Sequence, residues 1–356
     1  MNGLQAVAAF GLDHLETPEL AGSEDLASLV HDAERHRLTG LLAAAVRSGR
    51  LDPTADIRAQ IEEIDERWQR HGLLMGRLLV DVVEALAAAS VPHRVIKGPA
   101  LARLAYAEPA HRVFGDIDIV VPGPDLPRAR SLLVDEFGAD DPFPEIRAGF
   151  DAAYAKDVLL RVDGAEIDLH RTLAAGPFGQ RIPTEELFDS PGSFELAGTA
   201  VPTLGSDMTF VQVCYNAALG DIPPRLMSLR DVAQVHANLS PDPAAVVRIA
   251  ERWGGQTVVA TAIGLTWDAL SLPPDELSTW ARAHSPSRVD RRYLEASRSM
   301  ARSYTRHIAT LASIRGVRAK LGYARAISRP DDRYLEARGW TRSSHLIRAA
   351  RRLSGR

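Results

Sequence analysis

The hexapeptide Asp116-Ile117-Asp118-Ile119-Val120-Val121 decides the fold of this chain. Its β-branched residues, followed by Pro122-Gly123, predict a strand that ends at a turn. Because side chains alternate along a strand, Asp116 and Asp118 lie on one face and the isoleucines point into the opposite, buried face. Two carboxylates about 6–7 Å apart repel each other unless a cation bridges them. The pattern therefore predicts a divalent-metal site, and oxygen ligands favour Mg²⁺ or Mn²⁺.

A second strand further along the chain repeats the arrangement. In Glu166-Ile167-Asp168-Leu169-His170 the three polar side chains share one face. Asp168, between two aliphatic residues, is the expected third metal carboxylate, and Glu166 is its rival for that role. His170 has two interpretations: it orients a carboxylate or the acceptor, or it caps the strand as a core histidine.

Upstream, a short β-type run ends at Lys97-Gly98-Pro99 and a helical pattern follows. Backbone N–H groups and the helix dipole converge at such a junction, so an anion can bind there, and Lys97 adds a point charge for a phosphate. Arg112, four residues before Asp116, is predicted to reach the same ligand or, alternatively, to bind Asp116 or Asp118.

The order of these elements resembles the DNA polymerase beta-like nucleotidyltransferase superfamily. The matching segments are Ile96-Lys97-Gly98-Pro99, Asp116-Ile117-Asp118-Ile119 and Ile167-Asp168-Leu169. The sequence is more specifically similar to the bacterial uncharacterised nucleotidyltransferase family of the Lys-Gly type, because Arg112–Asp118, Ile167–His170 and Leu226–Val232 match further places of its pattern. One departure is Pro99, which stands where the family has Gly or Ser and removes a backbone donor and a hydroxyl.

The resemblance implies roles for particular residues. It implies that Asp116, Asp118 and Asp168 are the catalytic metal ligands. It also implies nucleotide contacts from Lys97, Gly98, Arg112 and Arg230, and supporting roles for Glu166, His170 and Asp231. For Asp231 the expected role is structural partner of Arg230.

The reaction implied is Mg²⁺-dependent transfer of NMP, most simply AMP from ATP, to a hydroxyl or phosphate with release of pyrophosphate. The acceptor is left open among a peptide natural product, a small molecule, a protein and tRNA or other RNA. Two alternatives use the same fold. One is a non-catalytic nucleotide-binding or partner-binding protein, and the other is a kinase-like phosphotransferase with attack at the γ-phosphate.

The coarse pattern predicts an α+β protein with a small mixed sheet flanked by helices. We expect an N-terminal helical region over residues 1–90 and the nucleotidyltransferase α/β core over 91–205. A helical domain over 206–285 and a basic, Arg-rich helical tail over 286–356 follow.

Composition excludes disordered and collagen-like chains, because 46% of the 356 residues are hydrophobic and 25% are charged. The net charge of −4 hides an asymmetry: residues 1–280 carry −18 and residues 281–356 carry +14. A basic tail with interleaved tyrosines suits RNA or an anionic peptide, although folding back onto the acidic body is the favoured interpretation.

The remaining sequence features concern location and competing chemistry. The single Cys214, the missing signal-peptide pattern and the missing apolar span predict a cytoplasmic protein without a membrane span. The chain has no P-loop, no Gly-x-Gly-x-x-Gly fingerprint, no Gly-x-Ser-x-Gly elbow and no His-Glu-x-x-His motif. It also has no dedicated DNA-binding motif.

Overall fold

The computed structural model describes residues 2–12, 26–298 and 303–341. The helices before and within the sheet region are α1 Gly3–Ala9, α2 Leu26–Arg35, α3 Thr39–Arg47, α4 Ala55–Ala88, α5 Gly98–Leu104, α6 Leu126–Phe137, α7 Phe150–Tyr154 and α8 Gly176–Gly179. The helices after the sheet are α9 Ser206–Leu219, α10 Leu226–Leu239, α11 Pro243–Arg252, α12 Gln256–Leu270, α13 Glu276–Ala283, α14 Arg288–Arg298, α15 Ser303–Ser313, α16 Val317–Ser328 and α17 Asp332–Ala337. The predicted α+β class is confirmed. None of these helices is long and apolar enough to cross a bilayer.

Six strands form one mixed sheet in the order β3-β4-β2-β1-β6-β5. Their bounds are β1 Arg94–Ile96, β2 Asp116–Val120, β3 Asp157–Val162, β4 Ala165–His170, β5 Pro191–Leu196 and β6 Thr199–Leu204. The neighbouring strands β2 and β4 are parallel, whereas β1 runs antiparallel to β2 and β3 antiparallel to β4. The parallel pairing sets the two acid-bearing segments side by side.

Two hydrophobic clusters hold these elements together. The C-terminal half of α4, including Met75, Leu79 and Leu86, packs with the buried face of the sheet, where Ile117 and Ile167 are fully buried. The second cluster joins α1–α3 to α9–α12. The helices before the sheet therefore share a core with the helices after it. The boundaries of the four predicted regions stay a prediction.

The described part of the tail folds back onto the body beside the sheet. Tyr154 in α7 donates its hydroxyl to the carbonyl of Ala319 in α16 at 2.9 Å, and its ring lies 5.4 Å from that of Tyr323. Arg147 donates to the carbonyl of Arg329 at 2.7 Å. Contacts among aromatic rings and backbone groups thus dock α16 against residues 146–154. Residues 299–302 and 342–356 of the predicted tail lie outside the described residues.

Candidate active site

The register of β2 and β4 brings carboxylates from two distant segments together. Asp118 and Asp168 are Cα partners across the parallel pair, and Asp116 is the partner of Glu166. Partners in a parallel pair point to the same face. Asp118 is only 1% exposed, whereas Asp116 and Asp168 are partly buried. The predicted metal triad therefore occupies one face at one end of the two strands.

Asp118 lies at the centre of a buried hydrogen-bond network. Its Oδ1 accepts from Lys97 Nζ at 2.5 Å and from His170 Nε2 at 2.6 Å. Because a carboxylate only accepts, the proton of His170 must lie on Nε2. Burial alone would raise the pKa of Asp118, but the Lys97 charge and the His170 hydrogen bond outweigh it and hold that pKa well below its usual range.

Asp168 is in the opposite situation. Burial and the charges of Asp157 and Asp118 raise the pKa of Asp168 to about 7. Asp157 begins β3, next to β4, and accepts from Lys156 Nζ at 2.6 Å. Asp157 was not predicted as a site residue; its signal in the sequence is its place at the start of an alternating segment, Asp157–Val162, that pairs with β4.

These groups fit a divalent cation. Ligand atoms of Asp118, Asp168 and His170 all lie within 4.8 Å of one another. A cation among them would relieve the repulsion that raises the pKa of Asp168. Carboxylate oxygens suit Mg²⁺ or Mn²⁺. Nε2 of His170 donates to Asp118 and so orients this ligand, whereas Nδ1, which has no hydrogen-bond partner among the described residues, is available as a ligand atom.

Asp116 and Asp118 border a polar cavity of about 200 Å³ between the sheet and the surrounding helices. The sheet side contributes the following lining residues: Lys97, Gly98, Arg112, Asp116 and Asp118. The opposite side, from the α2–α3 turn and from α9 and α10 with their connection, contributes Arg37, Asn216, Asp221, Arg225, Met227 and Ser228. Two of these residues, Arg37 and Arg225, are positively charged, and neither belongs to a recognised motif in the sequence.

The Lys97-Gly98 junction has an unusual backbone. Lys97 has φ +53° and ψ −129°, a conformation that non-glycine residues rarely adopt. A Cβ at Gly98 would lie 3.0 Å from Cβ of Phe114, so only glycine fits there without displacement. Pro99 does not line the polar cavity but borders a separate apolar groove between α4 and α5.

Arg112 borders the cavity but is engaged in a buried ion pair. Its Nε and Nη2 donate to the two carboxylate oxygens of Asp231 at 3.2 and 2.9 Å, and Nη1 donates to the carbonyl of Val113. Tyr106 donates its hydroxyl to the same carboxylate at 2.8 Å. Burial opposes the charge on Arg112, yet Asp231 raises the pKa of Arg112 above its usual value. Asp231 is thus the partner of Arg112, and the expected pairing of Asp231 with Arg230 stays a prediction.

Arg230 and Glu166 lie away from the cavity lining. Arg230 is buried and donates to the carbonyls of Ala8 and Phe10 at 2.8 and 2.7 Å, which ties α10 to the end of α1. Glu166 forms a half-exposed ion pair with Arg161 at 3.0 Å. The structure brings Lys97, Gly98 and Arg112 together with the aspartates, and leaves Arg230 outside.

Comparison with known proteins places the chain in a family. Among solved structures, a crystal structure of an antigenic nucleotidyltransferase-like protein from Paracoccidioides brasiliensis is similar at 13% identity and a TM-score of 0.31, over 60% of this chain and 94% of that chain. No curated protein shows significant similarity to the sequence. Residues 22–270 match the family described as "Uncharacterised nucleotidyltransferase". Since that match spans most of the 356 residues and includes every element of the candidate site, the chain belongs to the uncharacterised nucleotidyltransferase family.

Proposed function

We propose that the protein transfers NMP, most simply AMP from ATP, to a hydroxyl or phosphate acceptor and releases pyrophosphate, with Mg²⁺ or Mn²⁺ as cofactor. The observation that carries the proposal is the pairing of Asp118 with Asp168 in register on β2 and β4, beside a polar cavity that Asp116 also lines. Membership of a nucleotidyltransferase family supports the reaction class.

Each residue has a task in this reaction. Asp116, Asp118 and Asp168 would hold the divalent ion, which neutralises phosphate charge and makes an acceptor hydroxyl easier to deprotonate. Asp168, which lies beside Asp118 on the neighbouring strand, would accept the acceptor's proton. Lys97 Nζ donates to Asp118 in the structure and would also donate to a phosphate oxygen beside that carboxylate. His170 fixes the orientation of Asp118.

The test is one incubation with labelled nucleotides. Purified protein and Mg²⁺ are mixed with each of the four NTPs, labelled at the α- or γ-phosphate, with total RNA and cell extract as acceptors. Transfer of α-label with release of pyrophosphate is the expected result. Transfer of γ-label instead would establish a phosphotransferase, and nucleotide binding without any transfer would establish a binding protein.

Variants assign the activity to the site. Asp116→Asn and Asp118→Asn should each lower transfer more than about 100-fold, because each removes a charge that the ion requires. Asp81→Asn, at an exposed position on α4, is the matched control and should transfer like the wild type. Full activity in Asp116→Asn and Asp118→Asn would contradict the proposed site.

A further inference from the structure

Arg37 and Arg225 are the cavity-lining guanidiniums to which the sequence patterns assign no function. Arg37 belongs to the turn between α2 and α3, and Arg225 immediately precedes α10. Both line the polar cavity that Asp116 and Asp118 border. Arg37 Nη1 lies 3.5 Å from Asp116 Oδ1, and a Cβ at Gly115 would lie 3.4 Å from its Nη2, so the guanidinium extends over Gly115 toward the site.

The residues next to these two arginines are directly bonded to each other. The backbone N–H of Leu226 donates to His36 Nδ1 at 3.0 Å. This bond needs an unprotonated Nδ1, and burial together with the charge of Arg35 lowers the pKa of His36. The bond therefore fixes the α2–α3 turn against the start of α10 and sets Arg37 and Arg225 on either side of it.

The turn is fixed from a second direction as well. A Cβ at Gly40 in α3 would lie 2.0 Å from the carbonyl oxygen of Ala110, so α3 meets the segment before β2 at backbone distance. Both contacts restrict where the backbone of Arg37 can lie. A preorganised cation loses less conformational freedom when it binds an anion.

The existing partners of both arginines are weakly held. The Arg37–Asp116 pair spans 3.5 Å with side chains 28% and 34% exposed, and the Arg225–Asp221 pair spans 3.0 Å with side chains 37% and 48% exposed. Ion pairs open to water contribute little stability. Arg112, by contrast, forms a bidentate pair with Asp231, in which the side chains are 7% and 1% exposed. Arg37 and Arg225 can thus exchange a carboxylate for a phosphate at small cost, whereas Arg112 cannot.

We propose that Arg37 and Arg225 form an anion subsite for the β- and γ-phosphates of the nucleotide and for the pyrophosphate that leaves. This identity of the anion rests on the proposed nucleotidyl transfer. With the α-phosphate beside Asp116 and Asp118, the remaining phosphates need further cations within the cavity, which Arg37 and Arg225 also line. Asn216 and Ser228 supply neutral hydrogen-bonding groups to the lining of the same cavity. Guanidinium groups suit this task because they bind phosphate in a bidentate manner.

The test measures binding rather than catalysis. The dissociation constant of inorganic pyrophosphate is determined by calorimetry in the presence of Mg²⁺ for the wild type, Arg37→Gln, Arg225→Gln and the double variant. We expect a loss of about 10-fold for each single variant and about 100-fold for the double variant, the scale of one charge-assisted hydrogen bond per residue. ATP should lose affinity to a similar extent, whereas AMP, which has no β- or γ-phosphate, should bind each variant as it binds the wild type.

Controls separate a local effect from a general charge effect. Arg58→Gln and Arg248→Gln remove arginines that pair with exposed Asp52 and Asp242 outside the cavity, and should bind pyrophosphate like the wild type. Melting temperatures of all variants should stay close to the wild-type value, because each lost pair is at least partly exposed to water.

The binding and transfer measurements together distinguish a failure of the proposed anion subsite from a failure of the proposed reaction. Wild-type protein that does not bind pyrophosphate, or Arg37→Gln and Arg225→Gln variants that bind it unchanged, would overturn the subsite even if α-label is transferred. Weakened pyrophosphate binding in the variants of a protein that transfers no α-label would support the subsite and overturn the proposed reaction.

Discussion

The ammonium of Lys97 lies 2.5 Å from Oδ1 of Asp118, and the backbone that carries it is held at φ +53°. Only three lysines occur in the chain, and a second one, Lys156, binds Asp157 in the neighbouring strand. Two of the three lysines therefore neutralise the carboxylates that converge where β2, β3 and β4 meet. The two ammonium groups therefore reduce the repulsion among Asp118, Asp157 and Asp168 in the protein without a bound ion.

Lys97→Gly and Lys97→Ala separate the ion pair from the backbone strain. Both variants lose the ammonium, but glycine adopts positive φ without steric cost, whereas alanine does not. We expect Lys97→Ala to be less stable than Lys97→Gly by about 1–2 kcal/mol, measured by urea unfolding at neutral pH. Equal stabilities would mean that the backbone of residue 97 is not strained.

Asp168→Asn should stabilise the metal-free protein in a pH-dependent manner. The pKa of Asp168 is about 7, above its ordinary value of about 4, so ionisation is disfavoured in the folded state. The wild type therefore loses stability as pH rises from about 4 through 7, and the neutral amide avoids this loss. With EDTA present, the variant should melt a few degrees higher than the wild type at pH 8 and at the same temperature at pH 3.5.

Mg²⁺ should reverse that order. At pH 8, added Mg²⁺ should raise the melting temperature of the wild type, because an ion that binds only the folded state stabilises it. The Asp168→Asn variant should respond less. An equal response of both proteins would remove Asp168 from the metal site, and a variant that melts lower than the wild type in EDTA would contradict the raised pKa.

Much of this site could be predicted from the sequence, because the pattern that indicates it lies within single short segments. Alternation along Asp116–Val121 and Glu166–His170 predicts which side chains share a face, and the structure adds the parallel register that places Asp118 opposite Asp168. The helices after Ser206 follow from apolar periodicity for the same reason. The β5–β6 hairpin was not predicted, because its turn at Ala197-Gly198 is short and its strands are partly exposed and contain Pro191 and Pro202.

The parts that were not predicted depend on contacts between distant segments. Arg112 and Asp231 are 119 positions apart, and nothing in the local pattern of either shows that they form a bidentate pair. Arg37 lies 79 positions before Asp116. A guanidinium has the same local signature whether it binds a nucleotide, a carboxylate or a backbone carbonyl, so its partner follows only from tertiary packing.

Asp231→Ala should be strongly destabilising. The change leaves Arg112 charged and buried with its carboxylate removed, and breaking a buried pair in this way costs about 3–5 kcal/mol. Denaturant unfolding monitored by circular dichroism measures the loss. Asp52→Ala, which removes the 91% exposed partner of Arg58, should change stability by less than about 1 kcal/mol. A small effect of Asp231→Ala would show that Arg112 can move its charge into the cavity.

Two glycine-to-alanine changes in helices should have opposite signs. In an open helix, alanine is more stable than glycine by about 1 kcal/mol. Gly72 in α4 is such a position, since a Cβ there meets nothing within 4 Å, so Gly72→Ala should raise stability by about that amount. At Gly40 the same Cβ would lie 2.0 Å from the carbonyl oxygen of Ala110, which belongs to the backbone. Gly40→Ala should therefore lower stability by about 1–3 kcal/mol.

The Gly40 variant also tests how the N-terminal helices reach the site. The contact with Ala110 helps to position the α2–α3 turn, so displacing α3 should move Arg37 away from Asp116 and weaken pyrophosphate binding at temperatures where the variant is folded. Gly72→Ala, far from this turn along the chain, should bind pyrophosphate normally. If Gly40→Ala is destabilised but binds pyrophosphate like the wild type, the position of Arg37 does not depend on the contact between Gly40 and Ala110.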